Sequence, residues 1–128
     1  MAKYLIDTCI FVDLIRGKLD KVKGLDDLDG AVVSYVTYGE LLQGANNKKE
    51  ITGIEEIVSG YKLIWENGDL AKRAISILKI YHQKCGIEFF DAIIAATALE
   101  NNWILITENI RHFRQIDGLI VKKLSEVV

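Results

Sequence analysis

The chain has 128 residues, half of them hydrophobic, and a formal net charge of −2. That suffices for a single domain, residues 1–128, built round one core, and it excludes a disordered chain. No apolar run reaches the ~18 residues of a membrane span, and the charge excludes nucleic-acid binding by bulk electrostatics, though not a nucleic-acid substrate approached through bound cations. Asp7 interrupts the N-terminal apolar stretch too early for a signal peptide, so a cytoplasmic location is expected. Cys9 and Cys85 have neither CxxC spacing nor nearby histidines, which predicts reduced thiols and not zinc ligands.

Tyr4-Leu5-Ile6 is too short for a helical repeat and reads as a buried strand of a parallel sheet. Asp7 follows it, at the carboxyl end of a central strand, where open α/β sheets bind their ligands. The same carboxylate can also be a simple cap or a surface group. Thr8 is placed to cap a helix with Ile10, Phe11, Leu14 and Ile15 on its inward face, closed by Gly17. Leu19, Val22, Leu25 and Leu28 recur at three-residue steps, which predicts a short amphipathic helix within 18–29.

A second strand is expected over Ala31–Val36, followed by a helix opened at Thr37-Tyr38-Gly39-Glu40. Glu40 then lies at the same sheet edge as Asp7. Thr37 and Glu40 also fit a capping box, which needs no chemistry. Ile51–Ser59 reads as a helix and Tyr61–Trp65 as the third strand. Asp69–Cys85 is an amphipathic helix with Ala71, Ala74, Ile75, Leu78, His82 and Cys85 inward, and with Ile77 and Ile80 off that face as candidate partner contacts.

The run Phe89–Asn101 is apolar nearly all round and predicts a buried helix. Asp91 shares a side with Ile94, Ala95 and Ala98. A buried carboxylate is costly unless paired or bound to a metal, although a first-turn acid also favours the helix dipole. From Asp91 the helix runs roughly 15 Å from the edge. The stretch Trp103–Thr107, whose strand is expected over Trp103–Ile106, returns about as far, so Asn109 comes back to where Asp91 began. A fifth strand is expected at Leu119–Val121. Strands alternating with helices imply an α/β/α sandwich around a parallel sheet of four or five strands.

Asp7, Glu40 and Asp91 thus converge on one edge. Clustered carboxylates cannot all stay ionised uncompensated, and an all-oxygen set matches Mg²⁺ or Mn²⁺. Such a site suits phosphodiester hydrolysis.

Four stretches, LIDTCIFVDLIRG at the N-terminus, SYVTYGELLQGA at Ser34–Ala45, FDAIIAATAL at Phe90–Leu99 and ILITENIRHF at Ile104–Phe113, resemble in order the motif regions of PIN-domain ribonucleases, specifically VapC-type toxins of toxin–antitoxin pairs. The resemblance spans essentially the whole chain. It implies a PIN fold and a Mg²⁺- or Mn²⁺-dependent endoribonuclease. Metal ligands and catalytic residues map onto Asp7, Glu40 and Asp91, and the fourth polar position onto Asn109, one negative charge short of the usual aspartate. Thr8 and Thr107 are supporting residues, Thr107 ordering the site through water. Arg16, Lys18, Arg111 and Arg114 flank the motif ends and can contact the RNA backbone. The resemblance also implies a homodimer and a small VapB-like antitoxin. The alternative reading is a catalytically silent PIN fold that binds protein.

Overall fold

The computed structural model describes residues 3–128. Five strands, β1 (Tyr4–Ile6), β2 (Ala31–Ser34), β3 (Lys62–Ile64), β4 (Ile104–Ile106) and β5 (Val121–Lys122), form one sheet in the order β3-β2-β1-β4-β5. Every pairing is parallel; Leu5 lies opposite Val32 on one side and Leu105 on the other. All five carboxyl ends therefore share one edge. The helices are α1 (Thr8–Ile15), α2 (Tyr35–Gln43), α3 (Lys48–Val58), α4 (Gly68–Cys85), α5 (Phe89–Asn101) and α6 (Ile110–Phe113).

Side-chain alternation along the short strands divides the core. Leu5, Val32 and Leu105 pack with α4, α5 and Phe113 on one face. Ile6, Val33 and Ile106 pack with Ile10, Phe11 and Ile54 on the other. This is the expected three-layer sandwich. Because β1 is central and covered on both sides, the residue after it, Asp7, is almost completely withdrawn from solvent, at 4 % exposure.

Several local expectations are corrected. Residues 18–29 form two 3-10 turns, Leu19–Val22 and Leu25–Asp27, in place of an α-helix. Three-residue spacing matches the three residues per turn of that helix type, and Gly24 in the left-handed region (φ 89°) separates the turns. A Cβ on Gly24 would lie 2.8 Å from Cβ of Val128. Gly24→Ala is therefore expected to cost about 1–2 kcal/mol, from backbone strain and crowding together, seen as a lower urea midpoint. Strand β2 stops at Ser34, two residues earlier than expected, because the Ser34 hydroxyl accepts the Val36 N–H and starts α2 there.

Helix α4 is rotated from its expected setting. Leu70, Ala74, Ile77 and Tyr81 are buried, whereas Ile75 and His82 are exposed. Tyr81 fixes this register, its hydroxyl accepting the Asp117 N–H at 3.1 Å. Ile77 is thus core and offers no partner contact; Ile80 does remain exposed. On α1 the inward pair is Ile10 and Phe11, with Leu14 half-buried and Ile15 exposed.

Candidate active site

Asp7 is held by three donors. Its Oδ1 accepts the Thr8 N–H at 2.8 Å, and its Oδ2 accepts the Thr107 hydroxyl at 2.7 Å and, weakly, the Cys9 thiol at 3.5 Å. Asp7, not Thr8, is the N-cap of α1. That leaves the Thr8 hydroxyl available, and it donates to Glu40 Oε1 at 2.8 Å while lying 3.0 Å from Thr37 Oγ1. With its one proton given to Glu40, Thr8 receives the Thr37 proton.

Glu40 consequently sits in the second turn of α2, one turn deeper than a cap, because α2 begins at Tyr35. The capping box between Thr37 and Glu40 does not form; Thr37 is fully buried and acts as a link in the Thr37–Thr8–Glu40 chain. Asp91 closes a different capping box, its Oδ2 accepting the Glu88 N–H at 3.3 Å. Helix capping therefore accounts for one oxygen of Asp91, and no hydrogen bond among the described residues engages the other.

The electrostatics show which groups sense one another. Burial pushes the Asp7 carboxyl up from its ordinary value, against the Thr107, Thr8 and Cys9 hydrogen bonds and the His112 charge. Burial also raises Glu40, and the charges of Asp7, Asp91 and Glu88 add to it against the Thr8 bond. Asp91 is raised by burial first and then by Asp7 and Glu88, while the Glu88 N–H and His112 pull it down. The Cys9 thiol is pushed up to about 11, chiefly by burial and then by Asp7, and so stays protonated. Asp7, Glu40 and Asp91 therefore share one electrostatic environment.

Asn109 joins this group through its backbone. Its N–H donates to Thr107 Oγ1 at 2.9 Å, so one hydroxyl connects Asn109 to Asp7. Thr107 thus contacts Asp7 directly. The Asn109 side chain is exposed and lines a polar cleft with Arg111, His112 and Arg114. Arg16 and Lys18 lie apart from that cleft. Arg16 borders a largely apolar groove of about 500 Å³ with Val12, Leu14, Ile15 and Leu41, and Lys18 lines a separate recess with Leu19 and Lys21. His82, expected as a core histidine, is exposed, with Nδ1 2.6 Å from the Ile87 carbonyl oxygen.

The donor chemistry fits a hard divalent cation. Three carboxylates supply oxygen only, and among the described residues the sole ion pair is Arg73–Glu100, so no lysine or arginine neutralises them. Among the described residues no three acidic, histidine or cysteine side chains are already drawn to coordinating distance. Glu40 and Asp91 are instead turned to Thr8 and to the Glu88 amide.

Comparison with known proteins gives a consistent result. The family model described as the PIN domain matches residues 4–119. Among curated proteins, the chain is 31% identical over 129 residues to Ribonuclease VapC1 of Rickettsia felis, covering 94% of this chain and 96% of the relative. It is 29% identical over 127 residues to Ribonuclease VapC1 of Haemophilus influenzae, covering 91% and 93%. Among solved structures it superposes on VapBC-1 from nontypeable Haemophilus influenzae with a TM-score of 0.79 at 26% identity, covering 95% of this chain and 98% of the other. A toxin–antitoxin complex from Klebsiella pneumoniae gives 0.78 at 28% identity, with the same coverage.

Proposed function

The chain belongs to the PIN-domain family, and from that premise we propose that it is an endoribonuclease, the toxin of a VapBC-type toxin–antitoxin pair. The observation that carries this reading is the set of three carboxylates, Asp7, Glu40 and Asp91, at the carboxyl edge of the sheet, where Glu40 senses the charges of the other two and no lysine or arginine among the described residues pairs with any of them. Curated relatives of nearly the same length are ribonucleases, which supports RNA as the substrate.

In this reading Asp7, Glu40 and Asp91 hold a divalent cation, Mg²⁺ or Mn²⁺, and Asn109 assists from the adjoining turn. What such an ion supplies when bound is a lowered pKa for the attacking water and charge stabilisation at the phosphodiester. The protein's part is orientation. Thr107 and the Thr8 amide fix both oxygens of Asp7, and the Thr8 hydroxyl fixes Glu40. Because Asp7 directly follows the central strand, caps α1 and is nearly inaccessible, its position is set by the core.

The partners follow from the same comparison. Neighbouring structures are complexes of toxin with antitoxin, which supports a small VapB-like partner for this chain. The apolar groove beside Glu40 offers such a partner a seat next to the carboxylates. A second copy of the chain would cover the exposed aromatic surface where Trp65 stacks on Tyr35 and Phe89 on Phe90.

Thermal melting with added Mn²⁺ tests the site without relying on turnover. The natural chain should gain stability in proportion to the logarithm of free Mn²⁺, about 2.7 kcal/mol at 100-fold over the dissociation constant. Asp91→Ala should lose that gain. A Mn²⁺ response that survives in Asp91→Ala would remove Asp91 from the ligand set.

A further inference from the structure

Beyond Asn109 the carboxylate edge opens into a polar cleft of about 800 Å³ between the end of α4 and the segment running through α6 toward Lys123. Lys84, Arg111, His112, Arg114 and Lys123 line it, and Glu108 is its one carboxylate. The cations come from three separate parts of the chain, so the fold and not a basic run in the sequence gathers them. Their concentration stands out in a protein of net charge −2. All four lysines and arginines are exposed, and among the described residues none is ion-paired. Four lysines and arginines against the single carboxylate of Glu108 leave the cleft with an excess of positive charge, and an anion there relieves the repulsion. His112 joins the cleft to the carboxylate edge, its backbone N–H donating to the Asn109 carbonyl at 3.2 Å.

We propose that this cleft carries the RNA backbone on one side of the scissile phosphodiester, with Lys84 and Lys123 binding phosphates alongside Arg111 and Arg114. The inference rests on the ribonuclease reading and adds a direction to it. The strand leaves the carboxylates toward α6, over cations. It does not leave past Arg16, where the groove is largely apolar and its other charged side chains are the carboxylates Glu40 and Glu50. Phosphate contacts of this kind position the strand and carry no sequence information. Lys84 and Lys123 are accordingly positioning residues, distinct from the carboxylates.

The test is binding of a fluorescein-labelled single-stranded oligoribonucleotide of mixed sequence, followed by anisotropy across a KCl series. Asp7→Asn serves as the parent so that the strand stays intact. Each phosphate contact on a single strand contributes about 0.7 to the salt slope. Adding Lys84→Ala and Lys123→Ala should therefore make the slope shallower by about 1.4 and weaken binding about tenfold or more at 0.1 M salt. Arg16→Ala should leave the slope unchanged. In the chain with Asp7 intact, the same lysine pair should raise KM with kcat within about twofold, as expected for lost uniform binding.

A parent-like slope in the lysine variant, or a larger loss from Arg16→Ala, overturns the proposal while the ribonuclease reading stands. Unchanged RNA binding together with weakened binding of a polyglutamate peptide also overturns it, in favour of an acidic protein partner. A chain that neither binds nor cleaves RNA overturns the ribonuclease reading, and this inference with it.

Discussion

Asp7→Asn should abolish RNA cleavage and at the same time make the metal-free protein more stable. The two effects have one cause. Asp7 is 4 % exposed, and burial raises its proton affinity in the folded chain. A carboxyl whose folded pKa is raised contributes most to stability when protonated. That contribution is lost as pH rises from roughly 4, the unfolded value, through the higher folded value. At neutral pH the ionised group is therefore a net cost to the empty fold. Asparagine removes the charge, keeps an oxygen for the Thr8 amide and turns its NH2 to the Thr107 hydroxyl oxygen, which then accepts in place of donating. A gain of about 1 kcal/mol, or about 4 °C in Tm, is expected in EDTA. The advantage should shrink as pH is lowered toward 4, where the natural carboxylate takes up its proton. With Mn²⁺ the order should reverse, since only the natural chain retains the full ligand set. Loss of cleavage accompanied by a lower Tm in EDTA would instead mean that Asp7 acts as a structural cap.

Thr107→Val should show the opposite pattern, losing stability as well as metal affinity. The Thr107 hydroxyl is fully buried, donates to Asp7 Oδ2 and accepts the Asn109 N–H. Valine matches the shape but strands both partners. Asp7 Oδ2 keeps only the long thiol contact with Cys9, and the Asn109 amide has no acceptor among the described residues. An unsatisfied buried group costs about 1–3 kcal/mol, and more when charged, so a loss of about 2–3 kcal/mol in urea unfolding is expected. Residues that orient metal ligands typically affect metal affinity or activity by about 10–100-fold, and the Mn²⁺ dissociation constant should rise within that range. Thr107→Ser should recover most of the affinity. Failure of serine to recover it would assign the effect to packing of the Thr107 methyl.

The layered architecture was legible because its determinants are local. Tyr4–Ile6 is a short apolar run ended by a carboxylate, and Phe89–Asn101 is a continuous apolar helix closed by Asn102 in the left-handed region (φ 55°). Both occupy the expected residues. The placement of Asp7, Glu40 and Asp91 at one edge was legible from topology, since Asp7 and Glu40 follow parallel strands and Asp91 opens the helix that leads into β4.

What escaped the sequence depends on contacts across the chain. Ser34 and Thr37 both fit a helix start, and only the burial of Thr37 against Thr8 decides between them. The Thr8–Glu40 bond spans 32 residues, and the Thr107–Asp7 bond spans 100. Helix α4 was set wrongly because Ile75 and Ile77 are equivalent in hydrophobicity. The hydroxyl of Tyr81, meeting the Asp117 amide, chooses the face. Lys84 and Lys123 read as ordinary surface lysines until the fold places them in one cleft.

RNA cleavage by the purified protein under metal exchange decides whether Asp7, Glu40 and Asp91 form an oxygen-ligated metal nuclease. The natural chain should cleave RNA with Mg²⁺ or Mn²⁺, stop in EDTA and resume when metal is restored, and Asp7→Asn should stay inactive throughout. Cleavage that continues in EDTA and in Asp7→Asn would contradict the account, because neither the cation nor its most buried ligand would then be needed for the reaction.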